Sequence, residues 1–211
     1  MIESVIFDFD GTLVDSSAAI DKLNTYFIRK YKINNIGIES IKKINTLPLK
    51  QRFKKLGIPL YKIPLMSMEA LKVYSSSIGE IKLMEGIPEV LNKLAEHGID
   101  LKILSSNSVK NIRLVLQNNK INFFSDISSS SNVLKKDKAI IKLLKKSHLS
   151  KDSVVYIGDQ LEDIISCKRI QVKVVAVSWG YDSIDLLMQG KPDYLCRKPG
   201  DLYDYIISKR T

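Results

Sequence analysis

Short apolar runs alternate with amphipathic stretches along most of this chain, and this alternation predicts its elements. The first run, residues 5–7, is rich in β-branched and aromatic side chains, which is typical of a buried strand. From residue 86 onward, strands and helices take turns, which predicts a parallel sheet covered on both faces. The further strands are predicted at 101–104, 125–129, 154–157 and 172–178, and the helices at 88–97, 109–118, 137–147, 161–170, 183–189 and 201–209.

The segment 15–85 has a different character, because no convincing strand pattern appears in it. Ser16 or Ser17 can cap a first helix. We therefore predict a doubly wound α/β core formed by residues 1–14 and 86–211, interrupted by an all-helical insertion. The other helical pieces of the insertion are predicted at 38–45, 47–57 and 66–78, separated by proline and glycine.

Two carboxylates, Asp8 and Asp10, follow the first strand directly. Side chains on a strand repeat every second residue, so we expect both to leave the strand end on the same side. Carboxylates held close together repel each other, and burying one without a partner is costly. A hard divalent cation bound through oxygen satisfies such a pair, and Mg²⁺ fits. Gly11 lets the backbone turn tightly beside whatever binds there.

Polar groups also follow two of the later strands, where ligands bind in open α/β sheets. The strand at 101–104 ends in Ser105 and Ser106. A hydroxyl there can hold phosphate oxygens together with the amides of the next turn, although a plain helix N-cap explains this segment equally well. The strand at 154–157 leads to Asp159, and Asp163 follows in the first helical turn. The helix dipole alone accounts for such acidic residues, but beside Asp8 they favour carboxylates converging on one cation.

A group of lysines precedes the helix predicted at 137–147. Its members Lys135, Lys136 and Lys138 compete for one role, since a compact ammonium suits a phosphoryl group and a carboxylate together. Solvation at the surface is the ordinary explanation for the other two.

The composition limits the class of protein and its location but does not indicate a specific function. The chain has 211 residues, 45% of them hydrophobic, which is enough for a packed core. Its net charge is +10, but the lysines are spread over helical patterns, so the charge does not favour nucleic-acid binding as the main role. Two cysteines are too few for a disulfide framework, which indicates a reducing compartment, with the cytoplasm as the default. We expect no leader peptide and no membrane span.

In order, the Asp-x-Asp-Gly-Thr run at 8–12, a strand-end serine, a lysine and Gly-Asp-x-x-x-Asp at 158–163 resemble the four motifs of the haloacid dehalogenase-like (HAD) phosphatases. The resemblance covers nearly the whole chain outside the insertion. The stretches 46–49, 86–91, 179–181 and 192–194 are similar to the phosphoglycolate-phosphatase-like branch, which has a helical cap. The resemblance implies a Rossmann-like core with a cap at 15–85 and a Mg²⁺-dependent phosphatase that acts on a small phosphorylated metabolite.

The resemblance also implies roles for single residues. Asp8 would be the nucleophile and Asp10 the general acid and base. Asp8, the backbone carbonyl of Asp10, and Asp159 would bind Mg²⁺. Lys136 is preferred over Lys135 for its spacing to the next helix, and Asp163 would orient it or a water on the metal. The implied phosphate contacts are Gly11, Thr12, Ser105, Ser106 and Lys136.

In the cap, Arg52 is the candidate for substrate contact, because arginine suits phosphate and carboxylate groups. Two other functions stay open from the sequence. One is a sugar phosphomutase of the same fold, which differs in cap residues that cannot be interpreted here. The other is a non-catalytic regulatory or nucleic-acid-binding module, and the competent residue type at every motif position argues against it. The exact substrate and the oligomeric state do not follow from the sequence.

Overall fold

The computed structural model of the 211-residue chain describes residues 1–31, 47–130 and 136–210. The helix predicted at 38–45 and Lys135 lie outside these residues. Among the described residues, no helix is both long enough and apolar enough to cross a membrane. The cytoplasmic location expected from the sequence stays a prediction.

A parallel sheet forms the centre of the protein, as the sequence predicted. Its six strands among the described residues are β1 Ser4–Phe7, β4 Asp100–Ser105, β5 Phe124–Ser129, β6 Val154–Gly158, β7 Lys173–Val177 and β8 Tyr194–Cys196. They pair in the order β5-β4-β1-β6-β7-β8, each parallel to its neighbours. The chain runs outward from the central strand β1 to one edge and then returns to fill the other side.

Helices cover both faces of the sheet and bury its four central strands. Val5 and Phe7 of β1 face one apolar cluster, whereas Ile6 between them faces the other. The helices that follow the insertion are α4 Ile87–Glu96, α5 Val109–Asn118, α6 Lys136–Lys146, α7 Leu161–Ile170, α8 Ile184–Gln189 and α9 Gly200–Ser208. Helices α4, α5 and α9 supply buried side chains to the first cluster, and α6, α7 and α8 to the second.

The described part of the insertion is helical, but a small sheet that the sequence did not predict closes its base. Strand β2, Val14–Asp15, pairs antiparallel with β3, Lys82–Leu83. The prediction of no strand in 15–85 was therefore wrong at both ends of the segment. Two-residue strands carry too little alternation to be recognised. The helices are α1 Ser17–Lys30, α2 Leu49–Lys55 and α3 Ile63–Ser75, with 3-10 turns at Leu60–Lys62 and Ile78–Glu80.

The start of α1 also differs from the prediction. Ser16 occupies the N-cap position, but its side chain makes no capping hydrogen bond. Its hydroxyl instead pairs with the Tyr181 hydroxyl at 2.5 Å. Strand β8 was missed as well, since its three residues follow a proline-containing turn. The predicted domain boundaries at 14/15 and 85/86 stay a prediction.

The core predicts a contrast between two leucines. Leu104 of β4 is 1% exposed, whereas Leu65 of α3 is 55% exposed. We expect Leu104→Ala to lower the free energy of unfolding by about 2–5 kcal/mol, because it removes buried methyl groups and leaves a cavity. Leu65→Ala, the matched control, should change it by about 0.5 kcal/mol or less. Urea unfolding measures both values, and equal losses would contradict the placement of Leu104 in the core.

Candidate active site

The candidate site lies where the strand order reverses, at the carboxyl ends of β1 and β6. These two strands are neighbours although most of the core separates them in sequence, and such a switch point opens a crevice for ligands. Asp8 follows β1, and its amide donates to the Ile157 carbonyl at 2.8 Å. Asp159 follows β6 directly. Parallel pairing therefore brings together two carboxylates that are about 150 residues apart.

Three carboxylates meet at this edge. Asp8, Asp159 and Asp163 each offer an oxygen, and these three atoms lie within 4.8 Å of one another. Their exposed fractions are 4%, 0% and 1%. Asp163 belongs to the first turn of α7, where its Oδ2 accepts a hydrogen bond from the Gln160 amide at 3.1 Å. The helix start thus holds a side chain that also faces the site.

Lys136, the first residue of α6, reaches into this cluster. Its Nζ lies 2.6 Å from Asp8 Oδ2, and it also bonds Asp163 Oδ1. The lysine is 4% exposed. Burial acts to lower the pKa of Lys136, but the charges of Asp163 and Asp8 outweigh burial and raise this pKa well above its usual value. The ammonium is therefore held in its charged form between two carboxylates.

One lysine does not balance three buried carboxylates, and the imbalance is visible at Asp159. Burial, together with the charges of Asp8 and Asp163, raises the pKa of the Asp159 carboxyl well above its ordinary value. An added positive charge would relieve this repulsion. Converging buried carboxylate oxygens are the donor set that Mg²⁺ prefers. The residues present therefore fit a divalent cation.

The chain holds Asp159 on both of its oxygens. The Thr12 hydroxyl donates to Oδ1 at 2.9 Å, and the Tyr181 amide donates to Oδ2 at 2.8 Å. Two glycines leave the space: a Cβ at Gly11 would lie 2.4 Å from Asp159 Oδ2, and one at Gly180 would lie 2.2 Å from its Cβ. Gly11 also has a φ of 78°, which side chains disfavour.

The backbone amides of Gly11 and Thr12 form hydrogen bonds within their own turn. The Gly11 amide donates to the Val14 carbonyl and the Thr12 amide to the Phe9 carbonyl. In this structure both residues shape the surroundings of Asp159. Their contact with phosphate stays a prediction.

The carboxyl of Asp10 lies outside the cluster of Asp8, Asp159 and Asp163 and is held by other donors. Its Oδ1 accepts a hydrogen bond from the Tyr74 hydroxyl at 2.6 Å, and its Oδ2 accepts one from Asn107 Nδ2 at 3.1 Å. Strand β1 ends at Phe7, so the two-residue repeat of side chains does not extend to Asp10. Asp163, which the sequence also favoured for this cluster, completes it with Asp8 and Asp159. A metal contact by the backbone carbonyl of Asp10 stays a prediction.

The surroundings of Asp10 also set its charge preference. Burial raises the pKa of the Asp10 carboxyl above its ordinary value, and hydrogen bonds from Tyr74, Ser16 and Asn107 oppose part of that rise. The group is therefore easier to protonate than a carboxyl in water, which suits a residue that both gives and takes a proton.

The serines at the end of β4 and in the loop after it make different contacts. Ser105 is 1% exposed, and its hydroxyl accepts a hydrogen bond from the Asn107 amide at 3.1 Å. Ser106 is exposed. Ser108 supplies the helix cap, since its hydroxyl accepts from the Asn111 amide at 3.1 Å. Ser108 therefore caps the helix, whereas Ser105 and Ser106 lie at the end of the strand and do not serve as the cap.

Arg52 of α2 contacts the core rather than open space. Its guanidinium pairs with Asp182, and its Nε donates to the Leu47 carbonyl at 2.6 Å. Asp182 is buried and also accepts from the Leu161 amide at 2.8 Å. The positive charge expected to bind substrate is therefore matched inside the protein, and substrate contact by Arg52 stays a prediction.

Sequence reasoning missed Tyr74, Asn107 and Asp182 as neighbours of the site. Asn107 stands beside the strand-end serines and Asp182 directly follows the stretch 179–181, but neither pattern indicated a contact for them, and Tyr74 comes from a helix without a motif. Tyr181 stood in a stretch that resembled the family, but its backbone contact to Asp159 could not be inferred. Packing of distant segments creates all of these contacts.

A six-stranded parallel sheet flanked by helices, with buried aspartates and a lysine at its switch point, is a Rossmann-like α/β core. Residues 5–177 match the family "Haloacid dehalogenase-like hydrolase". The chain belongs to this family, and it is a phosphatase, as its motifs predicted.

Two relatives illustrate its closer similarity. The phosphoglycolate phosphatase of Synechococcus elongatus is 25% identical over 202 residues, which cover 95% of this chain and 95% of the relative. The pyrophosphatase PpaX of Halalkalibacterium halodurans is 25% identical over 214 residues, covering 97% of each. Both align along nearly their whole length, so the insertion is part of the similarity.

Solved structures agree with the fold. A haloacid dehalogenase-like family hydrolase from Streptococcus pneumoniae has a TM-score of 0.78 and 26% identity, covering 97% of this chain and 98% of that one. CbbY from Rhodobacter sphaeroides, solved in complex with phosphate, has a TM-score of 0.73 and covers 96% of each chain. Its identity is 16%, so this second likeness shows the fold alone.

The close approach at Gly180 predicts a steric defect. A Cβ at this position would lie 2.2 Å from the Cβ of Asp159, whereas a Cβ at Gly79 would meet nothing within 4 Å. We expect Gly180→Ala to lower the free energy of unfolding by about 1–3 kcal/mol, because buried groups must move apart. Gly79→Ala should stay within about 0.5 kcal/mol of the wild type. Urea unfolding tests both, and a neutral Gly180→Ala would contradict the packing described here.

Proposed function

We propose that this chain is a Mg²⁺-dependent phosphomonoesterase that acts on a small phosphorylated metabolite through an aspartyl-phosphate. The observation that carries the proposal is the contact of Lys136 with Asp8 inside a cluster of three buried carboxylates. A structural core gains nothing from such a cluster, because desolvated like charges are costly. Perturbed acids gathered at a strand-end crevice are typical of active sites.

Asp8 is the proposed nucleophile. One of its oxygens, Oδ1, accepts a hydrogen bond from the Phe9 amide at 2.7 Å, and the other, Oδ2, accepts from Lys136. These contacts fix the direction of the carboxylate, as an in-line attack on phosphorus requires. Attack by one oxygen forms the P–O bond of the aspartyl-phosphate while the bond to the leaving alcohol breaks.

Asp10 is the proposed proton carrier. In its protonated form it gives the proton to the leaving oxygen, which spares the formation of a free alkoxide. The resulting carboxylate then takes a proton from the water that attacks the phosphorus of the aspartyl-phosphate. Asp8 and inorganic phosphate are released, and Asp10 is again protonated.

Lys136 and the strand-end serines act on the charge of the phosphoryl oxygens. The ammonium of Lys136 already faces Asp8, so a phosphoryl group bound to Asp8 would meet this charge without rearrangement. Asp163 holds the lysine from its other side. Ser105 and Ser106, at the end of β4, are the proposed hydrogen-bond donors to the same oxygens.

Asp8, Asp159 and the backbone carbonyl of Asp10 are the proposed ligands of Mg²⁺. Bound there, the ion would supply positive charge against the phosphoryl oxygens and lower the repulsion among the carboxylates. Asp159 suits this task because Thr12 and the Tyr181 amide fix both of its oxygens. Its free lone pairs remain available to a cation.

The helical segment 15–85 is the proposed cap over this site, with residues 1–14 and 86–211 as the core. A cap would exclude water and contact the leaving group. The two named relatives differ in substrate, one acting on phosphoglycolate and the other on pyrophosphate. Both compounds are small and anionic, and we place the substrate of this chain in that class. Arg52 is the proposed cap contact, provided that the substrate competes with Asp182 for its guanidinium.

Metal-dependent turnover is the first expectation. Purified protein should release p-nitrophenol from p-nitrophenyl phosphate with Mg²⁺, and EDTA should abolish the release. Asp8→Asn should lower kcat at least about a thousandfold, because the nucleophile is lost. Asp21→Asn, on the exposed face of α1, is the matched control and should retain full activity. Turnover that survives EDTA or Asp8→Asn would refute the proposal.

The role of Asp10 predicts dependence on the leaving group. Phenolate leaves less readily than nitrophenolate, so its departure benefits more from a proton. We expect Asp10→Asn to lower kcat/KM for phenyl phosphate at least about tenfold more than for p-nitrophenyl phosphate. The two esters share the aryl ring, which keeps binding comparable. Equal losses on both esters would count against Asp10 as the acid.

A further inference from the structure

The carboxyl of Asp10 lies between donors from two parts of the chain. The Tyr74 hydroxyl, from the last turn of α3 in the insertion, lies 2.6 Å from Oδ1. Asn107, from the loop after β4 in the core, lies 3.1 Å from Oδ2 through its Nδ2. Both carboxylate oxygens of Asp10, the proposed proton carrier, are therefore fixed. The shorter of the two hydrogen bonds comes from Tyr74, which belongs to the insertion.

A second route joins α3 to the same carboxyl. The Ser75 hydroxyl lies 3.0 Å from Asn111 Oδ1 and 2.7 Å from the Leu71 carbonyl, so its one proton is shared between these two acceptors. Asn111 Nδ2 donates to Asn107 Oδ1 at 3.0 Å. Asn107 then donates to Asp10. Each amide accepts with its oxygen and donates with its nitrogen, so all the bonds of this route point toward Asp10. Neighbouring residues of α3 thus reach Asp10 directly and through two asparagines.

Burial makes these contacts specific. Tyr74, Asn107 and Asn111 are 5%, 4% and 3% exposed. Buried polar groups that are fully paired hold one arrangement, because every alternative leaves a group unsatisfied. A packing role alone would be served by apolar side chains at these positions. The hydroxyl of Tyr74 has the Asp10 carboxylate as its hydrogen-bond acceptor.

We propose that Tyr74 and Ser75, at the end of α3, are positioning residues that aim the Asp10 carboxyl at the leaving group. The inference rests on the proposed function, since it assigns a task to the proton carrier of that mechanism. It adds that the insertion contributes directly to the chemistry of the core. Asp10 is then correctly oriented while the end of α3 keeps its contacts with Asp10 and Asn111.

Orientation predicts a pattern that loss of packing does not. If Tyr74 aims the proton, its loss should slow departure of a poor leaving group and spare a good one, as loss of Asp10 does. General loosening of the site would slow both esters alike. The ratio kcat/KM reports the first irreversible step, phosphoryl transfer, so it isolates departure from the later attack by water.

The test compares Tyr74→Phe and Ser75→Ala with two controls on phenyl phosphate and p-nitrophenyl phosphate, in the presence of Mg²⁺. Tyr61→Phe removes an exposed phenol beside α3, and Ser76→Ala removes an exposed hydroxyl that bonds the carbonyl of Val73 within its own helix. Thermal unfolding of each variant confirms that it is folded. Ser75 is exposed, so its substitution keeps the test valid even where Tyr74→Phe reduces stability.

We expect Tyr74→Phe to lower kcat/KM for phenyl phosphate about tenfold and for p-nitrophenyl phosphate less than about twofold, since one hydrogen bond that orients the Asp10 carboxyl is lost. Ser75→Ala should shift the ratio of the two values in the same direction by about threefold, and both controls should leave it unchanged. Equal losses on both esters, or no loss, with an active wild type would overturn this inference alone. A wild type inactive on both esters would overturn the proposed function, and the inference with it.

Discussion

Repulsion among three buried carboxylates is the constraint on which the rest of this site depends. Asp8, Asp159 and Asp163 lie within reach of one another in a region that water hardly enters. Such an arrangement persists because other contacts hold each acid in place and because positive charge is brought to it. Lys136 supplies part of that charge. The negative charge that Lys136 does not balance favours a bound cation, and this cation would in turn favour an anionic phosphoryl group beside it.

Much of the surrounding structure serves to hold these acids against their repulsion. Asp159 is contacted from two sides, by the turn at Gly11 and Thr12 and by the loop at Gly180 and Tyr181. The start of α7 holds Asp163 through a backbone amide. The loop after β7 further reaches the insertion, since Tyr181 pairs with Ser16 and the next residue with Arg52. The same loop thus supports the acids and joins the two parts of the chain.

The core and its acids could be predicted from the sequence for a definite physical reason. Asp8 and Asp159 come directly after apolar strands, and parallel strands place such residues at one edge. Helix α5 at 109–118 and helix α7 at 161–170 were predicted at the bounds the structure shows, because periodicity and punctuation agree there. The four motifs were therefore sufficient to predict the family, which the comparisons confirm.

The remaining features depend on contacts that no local pattern encodes. Strands β2 and β3 are two residues long and exist because the ends of the insertion meet. The hydrogen-bond partners of the Asp10 carboxyl could not be predicted, since the strand ends before it and Tyr74 is 64 residues away in sequence. Arg52 was the candidate for substrate contact, and its pairing with a buried aspartate after β7 could not be predicted from the sequence. Each case is decided by tertiary packing rather than by propensity.

The central claim, that Asp8 carries the phosphoryl group, is tested most directly by trapping the covalent species. Asp10→Asn protein should be mixed with Mg²⁺ and p-nitrophenyl phosphate, because nitrophenolate leaves without help while attack by water is slowed. After an acid quench and proteolysis, mass spectrometry should find a phosphoryl group on Asp8, and Asp8→Asn/Asp10→Asn protein should show none. Release of nitrophenol with no phosphorylated residue, or with the phosphoryl group on another side chain, would contradict the account.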